Sequence, residues 1–117
     1  MSHTLIASDR VEGTAVYDRS GKNIGAIQRV MIDKISGTIA YAVLTFGGFL
    51  GFGQKHFPIP WHALKYNVDR GAYGGYEVEI TEDQLKDAPS YGPGEDFDWG
   101  DRSDDIRARF PMHSGWV

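Results

Sequence analysis

The sequence contains no cysteine and has fewer basic than acidic residues. The absence of cysteine excludes a disulfide framework, thiolate chemistry and any thiolate metal site, and it suits a reducing compartment. Lysine and arginine together number 12 against 16 aspartates and glutamates, which gives a net charge of −4, and no basic cluster is visible. Because nucleic-acid backbones are bound largely through basic side chains, we expect no nucleic-acid partner.

Signal peptides and membrane-spanning helices have no clear counterpart in this sequence. The first ten residues lack a basic segment followed by an apolar core. The stretch from Ile35 to Gln54 carries no charge and has about the 20 residues that a membrane helix needs. Its polar residues and scattered glycines favour two strands and their connection instead. We therefore expect a cytoplasmic protein without direct membrane insertion.

Metal-binding and catalytic patterns are also missing from the sequence. The four histidines are dispersed along the chain, whereas a zinc site normally needs three or four ligands. The acidic run at 95–105 fails as a calcium loop, because Gly100 stands where an oxygen ligand is needed and Arg107 where a glutamate is needed. No serine stands in a nucleophile-elbow context. We expect no catalytic residue, metal or cofactor, and hence a non-enzymatic protein.

The stretch GGFLGFGQKHFPIPW, residues 47–61, looks at first like a phosphate-binding loop. Gly48 and Gly53 bracket four residues, but Lys55 comes one position late and His56 replaces the hydroxyl that would hold magnesium. The two prolines that follow prevent the helix whose N-terminal amides would face a phosphate. We predict instead a glycine-rich turn between two strands.

Short apolar runs separated by turn residues predict a mainly β protein of one domain. In the run from Ile24 to Ile32, every second residue, beginning with Ile24 and ending with Ile32, forms the better candidate for a core face. Gln28 lies on this face and is a candidate bulge. Gly37 is predicted to supply the positive φ of a hairpin turn. This pattern is typical of a small antiparallel barrel.

Two further patterns lie near residue 80. The alternation in YEVEI predicts that Tyr76 faces the core and that Glu77 faces outward. Thr81, with Gln84 three residues later, matches a capping box for one short helix that Pro89 ends. The expected fold class is therefore a mainly β, small antiparallel barrel with one short helix and an irregular C-terminal extension.

The strand from Thr38 to Phe46 is apolar on both faces, so its outer side needs a cover as well as its inner side. The short helix, the C-terminal extension or a second copy of the chain could supply it. We place the barrel domain at residues 1–87 and a Gly/Pro/Asp-rich extension, ordered where its aromatic rings dock, at 88–117. The predicted interaction residues are apolar and aromatic side chains from these regions: Tyr41, Leu44, Phe46, Phe49, Phe52, Trp61, Trp99 and Trp116.

The order of these motifs resembles the PRC-barrel domain, found in the cytoplasmic part of the photosynthetic reaction-centre H subunit and in ribosome-maturation proteins. The resemblance covers roughly Ser8 to Pro89, and the extension looks like that of stand-alone bacterial members. The membrane helix of the first relative and the N-terminal domain of the second are absent, so neither role transfers. The matching residues are Gly21-Lys22, Ile24-Gly25, Val30, Ile32, Asp33, Gly37, Ile39, Tyr41-Ala42-Val43-Leu44, Phe57-Pro58-Ile59-Pro60-Trp61 and Leu64.

The resemblance implies a protein-interaction or assembly module rather than an enzyme. We expect a homo-oligomer, with a dimer favoured, and a protein partner whose identity the sequence does not define. One alternative is an accessory module that docks onto a membrane complex, as the reaction-centre relative suggests. The other is a ligand-binding or catalytic barrel, which a deep pocket with converging Asp, His and Tyr side chains would indicate.

Overall fold

Six β-strands form one curled sheet in the computed structural model, which describes residues 5–46, 55–71, 74–81, 84–85, 88–100 and 106. Two short helical segments in this part of the chain have defined bounds: the α-helix α1 (Ser8–Val11), which precedes the strands, and a 3-10 helix (Trp61–Ala63) between the fourth and fifth strands. The predicted mainly β class is confirmed. The strands are β1 (Ala15–Tyr17), β2 (Asn23–Ile32), β3 (Ile39–Phe46), β4 (His56–Pro60), β5 (Leu64–Asn67) and β6 (Gly75–Val78).

The strands lie in the order β4-β3-β2-β1-β6-β5. Four of the neighbouring pairs are antiparallel, as predicted. The pair β1–β6 is parallel, with Val16 opposite Tyr76. A parallel pair needs a long crossover, and here β2 to β5 provide it. This contact joins the first strand to the last and curls the sheet around one interior.

Strand β2 departs from simple alternation because it is bulged. Its pairing with β3 skips Gln28, which confirms the predicted bulge. Its pairing with β1 skips Ile24. Each extra residue reverses which side chains face the core. Ile27, which is not on the predicted core face, is therefore fully buried, while Ile32, which is on it, is 55% exposed. The prediction is wrong at these two positions, whereas Ile24 is buried and Val30 packs against the core cluster.

The interior of the curl is filled by side chains from every strand. Leu85 and Ile106, which lie outside the sheet, contribute to the same cluster at 2% and 0% exposure. The chain beyond residue 88 therefore also contributes to the core. One buried residue from each strand in order is Val16, Ile27, Leu44, Phe57, Leu64 and Val78.

Two local predictions are confirmed by backbone geometry. Gly37 has a φ of +79° in the β2–β3 turn, which is closed by a 2.8 Å hydrogen bond from the Asp33 amide to the Thr38 carbonyl. At the capping box, the Thr81 amide donates to Gln84 Oε1 at 2.8 Å, and the Gln84 amide donates to Thr81 Oγ1 at 3.2 Å. The predicted helix also includes residues 82–83 and 86–87, and these lie outside the described residues.

The glycine stretch connects two neighbouring antiparallel strands, β3 and β4. Most of it, residues 47–54, lies outside the described residues. The element that follows it is β4, a strand at the edge of the sheet. A phosphate-binding loop needs a helix at this point, so the context for nucleotide binding is missing, as predicted from the prolines.

Candidate interaction surface

Strand β3 is buried on both faces, which is the property that singled it out in the sequence. Four consecutive residues, from Tyr41 to Leu44, are each 7% exposed or less. Successive side chains of a strand point to opposite faces, so both sides of β3 are covered. Leu44 and Phe46 point into the interior, where the Phe46 ring packs edge-on against Phe57. Tyr41 lies on the opposite face of β3 by this alternation and is itself part of the buried cluster.

The outer side of β3 is covered by three aromatic residues of the C-terminal extension. The residues from Tyr91 to Trp99 are called the aromatic cover below. The Trp99 ring packs against Tyr41 with centroids 5.5 Å apart. The Phe97 ring contacts Trp99 at 4.8 Å and Tyr91 at 5.3 Å. Of the three predicted sources of a cover, the extension is the one that contacts β3 among the described residues.

The aromatic cover is also hydrogen-bonded to the edge of the sheet. The His56 amide donates to the Tyr91 carbonyl at 2.8 Å, the Tyr91 amide donates to the His56 carbonyl at 3.1 Å, and their rings are 5.1 Å apart. This single bridge adds one residue beside β4. Pro58 and Pro60 have no amide hydrogen to offer along that strand, so β4 is a poor template for further pairing.

Packing between the aromatic cover and the sheet leaves two buried polar atoms without hydrogen bonds. The Tyr41 hydroxyl and His56 Nδ1 are both buried without a hydrogen-bond partner. Each such atom costs about 1–3 kcal/mol. Burial raises the pKa of Tyr91, although the nearby positive charge of Arg29 opposes the shift. The cover is therefore held by ring packing and one backbone bridge, and two unsatisfied polar atoms oppose it.

A groove of about 410 Å³ runs between the aromatic cover and the sheet. Arg29 and His56 lie on its sheet side, and the acidic residues Glu95 and Asp96 lie on its cover side. The remaining lining residues are Gln28, Tyr91, Pro93 and Gly94.

The predicted interaction residues fall into four groups. Tyr41 and Trp99 are in contact where the aromatic cover meets β3. Trp61 is half-buried and packs on Tyr76 at 5.4 Å. Leu44 and Phe46, at 0% and 4% exposure, belong to the core and present no surface. The other three, Phe49, Phe52 and Trp116, lie outside the described residues.

Sequence reasoning missed the one buried charged side chain among the described residues. Glu77 is 6% exposed, so the prediction that it faces outward is wrong. Burial acts to raise the pKa of its carboxyl, but hydrogen bonds from Arg70 and Asn67 and the charges of Arg70 and Lys65 outweigh it, and the pKa is lowered. Asn67 Nδ2 donates at 3.0 Å and Arg70 Nε forms the ion pair.

The ion pair between Arg70 and Glu77 has a structural role. Arg70 lies in the turn between β5 and β6, and its Nη2 also donates to the Arg19 carbonyl at 3.3 Å. It therefore ties that turn to the turn between β1 and β2. The one feature of the sequence that could have indicated this ion pair is Arg70, seven residues before Glu77. The two side chains become neighbours only when the β5–β6 turn forms.

Two further grooves are lined by described residues. The larger, about 770 Å³, is lined by Leu5, Ile6, Arg10, Tyr17 and Tyr66 among others. The smaller, about 480 Å³, contains Asp33, Trp61 and His62. Neither brings Asp, His and Tyr side chains together as a group, and the described part of the chain holds no cluster of three metal-binding side chains. Among the same residues, the search for a helix long and apolar enough to cross a membrane found none.

Replacing Trp99 with alanine tests the docking of the aromatic cover. Because Trp99 is half-buried and contacts three other rings, we expect a loss of about 2 kcal/mol, somewhat less than for a fully buried tryptophan. Urea unfolding measures it. The control is Val68→Ala, at a position 72% exposed, which should change stability by less than about 0.5 kcal/mol. Equal stability of both variants would contradict the docking seen here.

The fold and this surface define a small β-barrel module whose interior is filled and whose outer face binds an extended aromatic segment. The sequence profile of the PRC-barrel domain matches residues 3–85. The chain therefore belongs to the PRC-barrel family, and the resemblance drawn from its motifs is confirmed. A comparison with curated proteins found no match.

Proposed function

We propose that this protein is a non-enzymatic interaction module of the cytoplasm that associates with itself, most simply as a dimer. One observation carries the proposal. The outer face of β2–β4 binds a stretch of polypeptide without regular structure, through Tyr41 and the backbone of His56. Recognition of an extended segment at a sheet edge through backbone bonds and side-chain contacts is a common mode of protein interaction.

The filled interior supports the same proposal. Ile27, Leu44 and Ile59 are each 0% exposed and occupy the space that a ligand would need inside the curl. Small-molecule sites are concave cavities with a few converging polar groups. A domain whose inside is packed with aliphatic side chains acts more naturally through its outer faces than as a ligand-binding or catalytic barrel.

Light scattering coupled to size exclusion tests self-association. We expect a mass of twice the 13.0 kDa of one chain, with a fraction that rises with protein concentration. The full chain is the right sample, because Ile106 is part of the core and a version ending before it would lose that contact. A mass of one chain at every concentration would contradict self-association and leave a different protein as the partner.

A further inference from the structure

The smaller of the two further grooves, about 480 Å³, lies beside the β2–β3 turn. It is lined by Asp33 and Thr38 from the turn, by Ile39 and Ala40 at the start of β3, and by residues 60–62. Most of these side chains are apolar or aromatic. Among the described residues that line the groove, Asp33 alone carries a formal charge at neutral pH. The groove is therefore an apolar surface with a single negative charge.

The Asp33 carboxylate is oriented by the turn. Its Oδ1 accepts hydrogen bonds from the amides of Ile35 at 2.9 Å and Ser36 at 3.1 Å. The bonds from the Ser36 and Ile35 amides lower the pKa of the Asp33 carboxyl, so the group is negatively charged at neutral pH. A carboxylate has two acceptor oxygens. Because both amides bond to Oδ1, Oδ2 can accept a hydrogen bond from a group outside the turn.

Trp61 gives the same groove an aromatic wall. The ring is half-buried, packs on Tyr76 with centroids 5.4 Å apart, and also lines the groove. A cation near the face of an aromatic ring is attracted by it, and tryptophan attracts most strongly. A guanidinium group suits both features of the groove, because it stacks on aromatic rings and donates hydrogen bonds to carboxylates. The group that matches Trp61 and Asp33 together is therefore an arginine side chain.

Two exposed isoleucines continue the apolar surface beyond the groove. Ile32 is 55% exposed and lies opposite Ile39, which lines the groove. Ile35, in the turn that carries Asp33, is 93% exposed. A small cation bound in the groove would leave both isoleucines in water. Apolar residues beside an arginine in a polypeptide would cover them, and burial of apolar surface favours that arrangement.

We propose that this groove binds an arginine side chain of a partner polypeptide, and that apolar neighbours of that arginine pack on Ile32 and Ile35. The guanidinium contacts the Trp61 ring and donates to Asp33. The positive charge of Lys34, an exposed residue of the turn, opposes a basic partner, but salt screens exposed charges. The proposal rests on the proposed role as an interaction module and names the chemistry of a partner. It does not depend on self-association.

An NMR titration of the full chain with a short peptide tests the proposal. The probe is acetyl-Gly-Leu-Arg-Leu-Gly-amide. The matched control peptide carries citrulline in place of arginine, which keeps nearly the same shape and removes the charge. We expect the arginine peptide to shift the amide signals of the β2–β3 turn and the indole signal of Trp61, which the Trp61→Phe variant identifies by its loss. The citrulline peptide should bind about fivefold more weakly, the size expected for an exposed ion pair.

Asp33→Asn removes the charge from the groove and keeps the turn, because an asparagine oxygen also accepts hydrogen bonds from turn amides. It should weaken binding of the arginine peptide about fivefold and abolish the difference between the two peptides. Asp69→Asn is the control, since it removes an equal charge from an exposed site in the β5–β6 turn, and it should leave both affinities unchanged. No binding of the arginine peptide, equal affinity for the two peptides, or unaltered binding by Asp33→Asn would each overturn the proposal.

Light scattering of the Asp33→Asn variant separates this proposal from self-association. We expect the mass of the unaltered protein at every concentration. A lower mass would place the groove in a contact between copies and overturn its assignment to a different partner. If the unaltered protein is monomeric and still binds the arginine peptide, self-association fails and the arginine site stands. If it is dimeric and does not bind the peptide, self-association stands and the arginine site fails.

Discussion

Replacing Gly25 with alanine is expected to destabilise the protein by about 3 kcal/mol, near the upper end for overpacked sites. Gly25 lies in β2 directly opposite Phe46 of β3. A Cβ added there would overlap the Thr45 carbonyl oxygen and lie 3.1 Å from the Phe46 Cα. Both atoms belong to backbone, so no side-chain rotation can relieve the overlap and the two strands must move apart.

Urea unfolding of the Gly25→Ala variant measures the loss. Gly100→Ala is the matched control, because among the described residues its added Cβ would come near only Asp98 Oδ1, at an ordinary 3.7 Å. We expect that control to differ from the unaltered protein by less than about 0.5 kcal/mol. Similar stabilities for the two variants would mean that β2 and β3 do not approach as closely as described.

The second large effect is expected from Arg70→Met, which should cost about 3 kcal/mol at neutral pH, because it leaves a buried carboxylate without its partner. Glu77 is 6% exposed and accepts hydrogen bonds from Arg70 and Asn67. The matched control is Arg19→Met, which breaks a 3.3 Å pair with Glu79 whose two side chains are 54% and 63% exposed. Exposed pairs contribute about 1 kcal/mol or less.

The pH dependence of the Arg70→Met effect has a defined sign. In the unaltered protein the lowered pKa of Glu77 means that its stabilising contribution is present above the ordinary value of 4.5 and is lost as the pH falls through the folded value. Without Arg70, burial is opposed only by the Asn67 hydrogen bond and the Lys65 charge, so the pKa of Glu77 is higher than in the unaltered protein. The difference between the two proteins should therefore shrink as the pH falls below 4.5. A difference that stays constant or grows would contradict the buried ion pair.

Local features of the fold were predictable from sequence because neighbouring residues determine them. The turn at Gly37 and the capping box of Thr81 and Gln84 depend on a few consecutive residues, and both are confirmed. The core face of β2 was predicted only in part, because its bulges depend on how β1 and β3 pair beside it. The burial of Glu77 likewise depends on Arg70, which the β5–β6 turn brings into contact.

The candidate surface was predictable only in part. That β3 needed a cover followed from its two apolar faces, and docking of the extension was predicted from the large aromatic residues that it carries. The sequence could not predict which face of β3 points into the interior, because the alternation of side chains does not distinguish the two faces when both are apolar. Leu44 and Phe46 therefore stood beside Tyr41 among the predicted interaction residues, although only Tyr41 meets Trp99.

The burial of Ile106 has a consequence for biosynthesis. Its side chain is completely enclosed by a cluster that includes residues as early as Val11 and Val16. While the ribosome is still translating the last part of the sequence, the nascent chain has its six strands but not the side chain that completes their packing. Tyr41 is also uncovered until residues 91–99 emerge from the exit tunnel. Partly assembled chains with exposed apolar surface aggregate readily, so this interval is when the nascent polypeptide most needs a chaperone.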